Sequence, residues 1–304
     1  MAAETAMTRH PASRTAGQKA WDRIEPYLYL SPALIVVGVF LLYPVVYTLY
    51  ISLTKWDGLT PPVFIGLQNY VQVFKASIFR TSFLNSVLWV AATLALPVAL
   101  GLLLALLVNR IPFQGFYKAI FYLPYAISAT SVAVLWSFLL SPVGIFNEGL
   151  RALGLESWTK SWLITPPWHN IAMIIAYTWL STGTNMILFL VGLQSIPTEP
   201  VEAAKIDGAN GWQAFWKVIF PLLRPITTVV VTVAVVNGFK VFDLIWVMTQ
   251  GGPYRSSETL AITMYREAFV SFRLGYGAAI AVILSFIVIF FSIFYLRSIF
   301  RREE

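Results

Sequence analysis

Six long apolar segments constrain this chain more than any other feature of its sequence. About 20 apolar residues in a helix cross a bilayer, and an α-helix satisfies its own backbone groups there. Only 12% of the residues are charged, against about one-quarter in a soluble domain. The sequence therefore predicts an all-α, multi-pass membrane protein with six transmembrane helices. The segments are Leu30–Leu53, Val87–Val108, Ile120–Leu140, Ile171–Leu193, Ile226–Met248 and Gly277–Tyr295.

Lysine and arginine between these segments predict the orientation. Placing both termini in the cytoplasm puts twelve basic residues inside and eight outside, as the positive-inside rule favours. Residues 1–28 are then a cytoplasmic tail, expected to be mostly disordered. Residues 29–298 form the membrane domain, and residues 299–304 are a cytoplasmic C-terminus. The net charge of +7 is typical of such flanks, so we expect a lipid bilayer and no nucleic acid as surroundings.

Several kinds of chemistry are disfavoured by the composition. The chain has no cysteine, and His10 and His169 lie far apart, so a metal site is not expected. No Gly-Lys pair occurs, which excludes a Walker A nucleotide-binding loop. We predict no catalytic residue, no metal and no cofactor bound by this chain.

A polar stretch at residues 198–221 interrupts the apolar pattern between the fourth and fifth segments. Thr198 is predicted to cap a first helix, and Gly208 to end it in a left-handed conformation. Asn210 and Gln213 predict a capping box at the start of a second helix. That helix carries an apolar stripe, which could lie in the membrane interface, tie two spans together, or dock a partner. The stripe comprises Trp212, Phe215, Trp216 and Ile219.

Polar residues inside the predicted spans are candidates for a solute pathway, because ionisable groups are costly there. Lys240 and Asp243 lie three residues apart in the fifth span, with Asn237 on the same side. They could instead form an ion pair that only holds helices together. The fourth span adds Thr182, Asn185 and the aromatic Trp179 as weaker candidates.

The polar stretch resembles the EAA signature of ABC importer permeases. It reads Glu202-Ala203-Ala204, Asp207-Gly208-Ala209, Phe215 and Val218-Ile219-Phe220-Pro221, with Phe220 where the family usually has leucine. Residues 30–58, 121–136 and 239–269 resemble the carbohydrate and glycerol-phosphate branch, which includes maltose-type permeases. The resemblance implies the type I importer transmembrane fold, with a family core over about residues 82–296 and a coupling loop at residues 194–221.

The resemblance also implies partners. In the family this loop docks on an ATPase, which assigns coupling to Glu202, Ala203, Ala204, Asp207, Gly208, Trp212, Phe215 and Pro221. Expected partners are a second homologous permease, two ATPase subunits that use ATP and Mg, and an extracytoplasmic solute-binding protein. The chain would form half of the pathway for a sugar-like solute in the cytoplasmic membrane. The binding protein would dock near residues 254–272, a segment that could otherwise be an ordinary interfacial helix.

An ion-coupled secondary transporter is the main alternative. Such a carrier needs intramembrane carboxylates and often contains an inverted repeat. Asp243 is the only acidic residue within the six segments, and the sequence shows no repeat. A membrane enzyme is disfavoured because no catalytic cluster of side chains is present.

Overall fold

The computed structural model describes residues 16–109 and 111–300. Within these ranges nearly all regular structure is helical. The α-helices are α1 (Ala16–Val37), α2 (Tyr43–Ser52), α3 (Gln68–Lys75), α4 (Ser77–Val108), α5 (Gln114–Ala126), α6 (Ala129–Leu139), α7 (Ile145–Ala152), α8 (Trp168–Gln194), α9 (Thr198–Ile206), α10 (Gly211–Ala214), α11 (Phe220–Leu222), α12 (Arg224–Lys240), α13 (Asp243–Thr249), α14 (Leu260–Tyr265) and α15 (Leu274–Phe300). The remaining regular structure comprises three π-helical turns (Gly38–Leu42, Phe215–Ile219, Arg266–Val270), a 3₁₀ turn (Glu156–Trp158) and the strands β1 (Thr54–Lys55) and β2 (Val63–Phe64).

The first compact unit ends at Tyr50 and contains α1 and most of α2. The expectation of a disordered tail over residues 1–28 is wrong for residues 16–28, which lie in α1; residues 1–15 fall outside the described chain. Ala16, Gln18 and Lys19 are good helix formers, so the polarity of this segment argued against membrane insertion but not against a helix. The apolar stretch from Glu25 to Ser52 is long enough to span a bilayer.

The second unit begins at Ile51 and is a helical bundle. Helix α4 packs against α8 and α12, and α15 packs against α12 and α14. Helices α4 and α8 run parallel, because Asn85 lies beside Asn170 and Gly101, further along, lies beside Asn185. A Cβ atom on Gly101 would come within 2.5 Å of the Asn185 Cβ. The close crossing of the two helices therefore requires glycine at this position.

The third predicted span is not a single helix. Residues Ile120–Leu140 divide into α5 and α6, which are bent by 91° relative to one another. Ile127 and Ser128 are extended between them, and the Ser128 hydroxyl caps α6 by accepting a hydrogen bond from the Ser131 N–H. The described residues contain five helices that are long and apolar enough to cross a membrane, or six if the bent pair is one span.

The fifth predicted span is also interrupted. Helix α12 ends at Lys240, Val241 and Phe242 leave the helical conformation, and α13 begins at Asp243. The break leaves backbone groups without helical hydrogen-bond partners. One of them, the Val241 carbonyl, accepts a hydrogen bond from the Thr259 hydroxyl at 3.3 Å. The prediction that Lys240 and Asp243 share one continuous helix is therefore wrong.

The two ends of the bundle differ in structure. We call the end with strands β1 and β2 the hairpin end; the strands pair antiparallel, with Thr54 opposite Phe64. At the other end, the loop end, residues 195–223 connect α8 to α12. Val108 and Leu193, at the ends of α4 and α8, share a core cluster there with Ile219. The all-α prediction is confirmed apart from the short hairpin.

Candidate functional site

The loop end carries two short helices joined by a sharp turn. Helix α9 ends as predicted at Gly208, whose φ of +82° lies in the left-handed region that glycine adopts without strain. The turn is closed by hydrogen bonds from Gly208 N to Lys205 O at 3.0 Å and from Ala209 N to Ala204 O at 2.9 Å. At the other end of α9 the prediction of a Thr198 cap is wrong. Pro197 occupies the cap position and supplies no side-chain hydrogen bond.

The second helix begins with the predicted capping box. The Gln213 N–H donates to Asn210 Oδ1 at 2.9 Å, and the Asn210 N–H donates to Gln213 Oε1 at 2.9 Å. Two backbone donors that would otherwise be unpaired at a helix start are satisfied by this exchange. The turn between α9 and α10 is thus fixed by its own residues.

The predicted apolar stripe is divided between two sides of the loop. Helix α10 passes at Phe215 into a π-helical turn, which changes the spacing of the side chains. Ile219 is consequently buried in the core cluster, whereas Trp212 is 71% exposed. Phe215 is half-buried between the two sides, with its ring centroid 5.0 Å from that of Trp216.

An exposed face of mixed character results, which we call the loop face. Ile206, at the end of α9, is 86% exposed, an unusual position for a large aliphatic side chain that has no partner. Pro221, by contrast, is half-buried behind this face. The loop face comprises Glu202, Ala203, Ile206, Asp207, Gly208, Trp212 and Trp216, with Ala204 half-buried beside them.

The loop is anchored to the bundle on its opposite side. Ile219 and Leu223 pack with Met186 and Leu190 of α8 in one core cluster, and Val201 of α9 packs against it. The loop face is therefore connected to α8 through packed side chains.

The three polar residues of the fifth span lie around the helix break, and all are exposed. Asn237 and Lys240 lie in the last turn of α12, and Asp243 is the first residue of α13. Within the described ranges, Lys240 and Asp243 form no ion pair with each other or with any other residue. Each charge is near the helix end whose dipole has the opposite sign, which lowers its cost in a membrane.

The candidates on α8 have different surroundings. Thr182 is buried and donates its hydroxyl to the Thr178 carbonyl at 2.6 Å, and Asn185 lies buried against Gly101 of α4. Trp179 is 40% exposed, with its ring centroid 6.1 Å from that of Trp136. The structure thus separates Thr182 and Asn185, which lie in the helix packing, from the exposed residues at the break.

A buried charged cluster at the hairpin end was not predicted. The fully buried Glu258 carboxylate accepts hydrogen bonds from Arg255 Nε at 2.8 Å, Arg266 Nε at 2.6 Å and Thr263 Oγ1 at 2.9 Å. Glu267 is paired with Arg255 at 3.4 Å and with Arg273 at 3.1 Å. Burial lowers the pKa of Arg255, but its hydrogen bond with Glu258 and the attraction of both glutamates outweigh burial and raise it.

The first turn of α14, in the same segment, is packed inside the bundle. Residues Leu260–Thr263 are all buried, so α14 has no face for lipid over its first turn. Its start is fixed to α4 by Ser86 Oγ, which accepts from the Leu260 N–H at 3.0 Å. Alternating charges at residues 255–273 were the sequence signal for this cluster, but which residues pair depends on the contact with α4.

Comparison with known proteins identifies the family. Residues 97–303 match the family described as the binding-protein-dependent transport system inner membrane component. The chain belongs to this family. A probable ABC transporter permease protein of Pyrococcus horikoshii is 39% identical over 284 residues, which is 92% of this chain and 97% of the relative. The alpha-glucoside transport system permease protein of Rhizobium meliloti is 35% identical over 290 residues, 93% of this chain and 84% of the relative.

A solved structure has the same fold. A bacterial alginate ABC transporter, crystallised in complex with an alginate pentasaccharide-bound periplasmic protein, aligns with a TM-score of 0.80 and 24% identity, covering 91% of this chain and 96% of that chain. The family match and the two relatives confirm the resemblance to ABC importer permeases. This permease is a multi-pass component of the inner membrane in a transport system, and its family is not itself catalytic.

Proposed function

We propose that this permease forms half of the translocation pathway of an ATP-driven importer for a sugar or a related polar solute. The observation that carries the proposal is the loop face. It is an exposed surface, fixed by its own capping box and connected to α8 through the core. A membrane protein of this family would use such a surface to receive force from a cytoplasmic partner.

The loop face has the chemistry of a protein-docking surface. Trp212 and Ile206 provide exposed apolar anchors, while Glu202 and Asp207 provide charge that restricts the choice of partner. We infer that two ATPase subunits serve the complete importer, one of them bound here, and that they use ATP and Mg. This placement puts the loop end and both termini on the cytoplasmic side.

The pathway is proposed to run past the helix break. Asn237, Lys240 and Asp243 are exposed and offer an amide, a cation and an anion that have no ion-pair partner among the described residues, a set that suits a solute rich in hydroxyl groups. Trp179 adds an aromatic ring. Thr182 and Asn185 would act only indirectly, by fixing α8 against α4. A second, homologous permease would supply the other half of the cavity.

The relatives support a carbohydrate as the solute. One acts in alpha-glucoside transport, and the structural neighbour is an alginate transporter with a bound periplasmic protein. We propose that an extracytoplasmic solute-binding protein docks at the hairpin end, near the rigid segment at residues 254–272.

Gly208→Asp tests the coupling role, with Gly208→Asn as the matched control. No atom lies within 4 Å of a Cβ built on Gly208, and both residues tolerate a left-handed conformation better than most. The two variants therefore differ mainly by one charge on the loop face. We expect Gly208→Asp to insert normally but to lose the ATPase on co-purification and to lose transport. Gly208→Asn should retain much of both.

The opposite results would reject the proposal. A Gly208→Asp variant that transports and binds an ATPase normally would show that the loop face does not couple. A chain that purifies alone and moves a solute in liposomes under a proton or sodium gradient would be a secondary transporter instead.

A further inference from the structure

A cavity of about 550 Å³ with a mixed polar and apolar lining lies at the hairpin end, between the β-hairpin, α3 and the start of α15. Its volume is within the range of about 300–1,000 Å³ that is typical of small-ligand sites. The residues assigned above to the loop face and to the pathway are not among its lining residues. The cavity is therefore separate from the loop face and from the helix break, and it lies beside the segment proposed to dock a solute-binding protein, which contributes Phe272 to its lining.

The walls of the cavity are held together by buried hydrogen bonds. Asn69 of α3 donates its side-chain amide to Ser52 O at 2.9 Å and to Thr54 O at 2.8 Å. The Gly275 N–H at the start of α15 donates to Trp56 O at 3.2 Å. Three separate segments thus meet around a preformed space, so a ligand would bind without reordering them.

The lining includes two cations. Lys55 is exposed, and its ammonium group forms no hydrogen bond or ion pair within the part of the chain that the structure describes. Arg273 donates one bond to Glu267 at 3.1 Å, and its guanidinium carbon lies 4.2 Å from the centroid of the Tyr276 ring. The remaining donors of Arg273 and the whole of Lys55 Nζ are available to oxygen atoms of a ligand.

An acidic group faces the same space. Asp57 Oδ1 accepts hydrogen bonds from the Thr60 N–H at 2.8 Å and the Leu59 N–H at 3.0 Å. The bond from the Thr60 N–H, followed by that from Leu59, lowers the pKa of Asp57 to about 2, so the carboxylate is charged at neutral pH. Together with Glu267 on Arg273, this carboxylate makes the charge of the cavity mixed, which disfavours a ligand that is only anionic.

Side-chain amides and exposed apolar groups complete the surroundings. Gln68 and Gln72 lie one turn apart on α3 and line the cavity. Leu59 is 90% exposed at the hairpin tip, and Phe64 is exposed on β2. The cavity lies where α15 begins, and the end of an apolar span is where a lipid headgroup would be found.

We propose that this cavity binds the headgroup of a zwitterionic phospholipid, such as phosphatidylethanolamine. The phosphate contacts Lys55 and Arg273, and the ammonium group contacts the Asp57 carboxylate and the ring of Trp56. The amides of α3 meet the ester oxygens, and the acyl chains lie along the exposed apolar side chains. The negative phosphate thus lies beside the two cations of the lining, and the positive ammonium group lies beside its carboxylate.

Native mass spectrometry of the full chain from lipid discs tests this. The discs contain phosphatidylethanolamine and phosphatidylglycerol in equal amounts, and the retained lipid is counted. Lys55→Gln removes a cation from the lining, whereas Lys75→Gln removes an exposed lysine at the end of α3, outside the cavity. We expect phosphatidylethanolamine to be preferred, Lys55→Gln to weaken its retention at least about tenfold, and Lys75→Gln to leave it unchanged.

Three results would overturn the inference. Equal retention by Lys55→Gln and Lys75→Gln would show that the cavity does not hold the lipid, provided both unfold at the wild-type temperature. Equal retention of the two lipids by the wild type would exclude the ammonium contact. Unchanged lipid retention in Lys55→Gln, with weaker binding of a solute-binding protein, would make the cavity a protein-docking site. Transport is not measured, so the result is independent of the proposed function.

Discussion

Two regions of this permease hold charged side chains in or beside the spans, and they do so in opposite ways. At the hairpin end, Glu258 is fully buried and bonded to two arginines. At the break in the fifth span, Lys240 and Asp243 are exposed and have no ion-pair partner in the described chain. The first arrangement satisfies its charges within one chain, which is what stability requires. The second leaves them exposed, which is what the proposed contact with a solute requires.

The largest expected effect is on the buried cluster. Glu258→Gln keeps the size of the side chain but leaves Arg266 without a carboxylate and Arg255 with only Glu267 at 3.4 Å. We expect a loss of about 3 kcal/mol in the free energy of unfolding, at the low end for a broken buried pair because both arginines are partly exposed. Thermal unfolding in detergent measures it.

The control for that loss is an exposed ion pair. Glu148 and Arg151 form one on α7, with both side chains well exposed. Glu148→Gln should change the free energy of unfolding by less than about 1 kcal/mol. Equal shifts in the two variants would mean that the Glu258 cluster is not a structural feature, and the comparison would fail.

A second prediction concerns the break in the fifth span. Asp243→Asn and Lys240→Gln remove exposed charges that have no ion-pair partner among the described residues. Only a weak interaction with a helix end is lost, so the unfolding temperature should stay near the wild-type value. A hydrogen bond between a solute and a charged group is worth enough to lower transport by about tenfold when it is lost. Uptake in proteoliposomes containing the complete importer measures this.

The reverse outcome would be informative. Normal uptake together with a lowered unfolding temperature would mean that Lys240 and Asp243 serve assembly or packing. They would then belong with Glu258, and the contrast between the two regions would disappear.

The smallest effect is expected in the loop, where no buried charge is involved. Asn210→Ala removes the capping box and should cost about 1 kcal/mol of local helix stability. Hydrogen exchange at the Gln213 amide, which donates to Asn210 Oδ1, should become faster. Asn210→Asp, another good cap, should restore protection. Unchanged exchange in the alanine variant would show that the turn is held by other contacts.

Local features of this chain were predictable from sequence. The capping box and the left-handed Gly208 depend on residues within a few positions of one another, and the structure confirms both. The long apolar runs of α4, α8 and α15 likewise predicted spans that the structure contains.

Other features depend on backbone direction and on distant contacts. Apolar residues continue across Ile127–Ser128 and across Val241–Phe242, so hydropathy predicted continuous spans where the chain bends or breaks. The alternating charges around Glu258 did not predict its burial, because its surroundings are fixed by contacts with α4, such as the hydrogen bond that Asn85 Nδ2 donates to Glu258 O at 2.9 Å.

The turn between α9 and α10 has a consequence for how this permease can change over evolution. Its geometry is set by Gly208, Asn210 and Gln213, and none of these needs a contact in the bundle to hold the turn. Substitutions on the outer surface of the two helices can therefore accumulate without disturbing the spans. On the proposed function, the surface that binds the ATPase could therefore change in sequence while the spans that carry the solute stay the same.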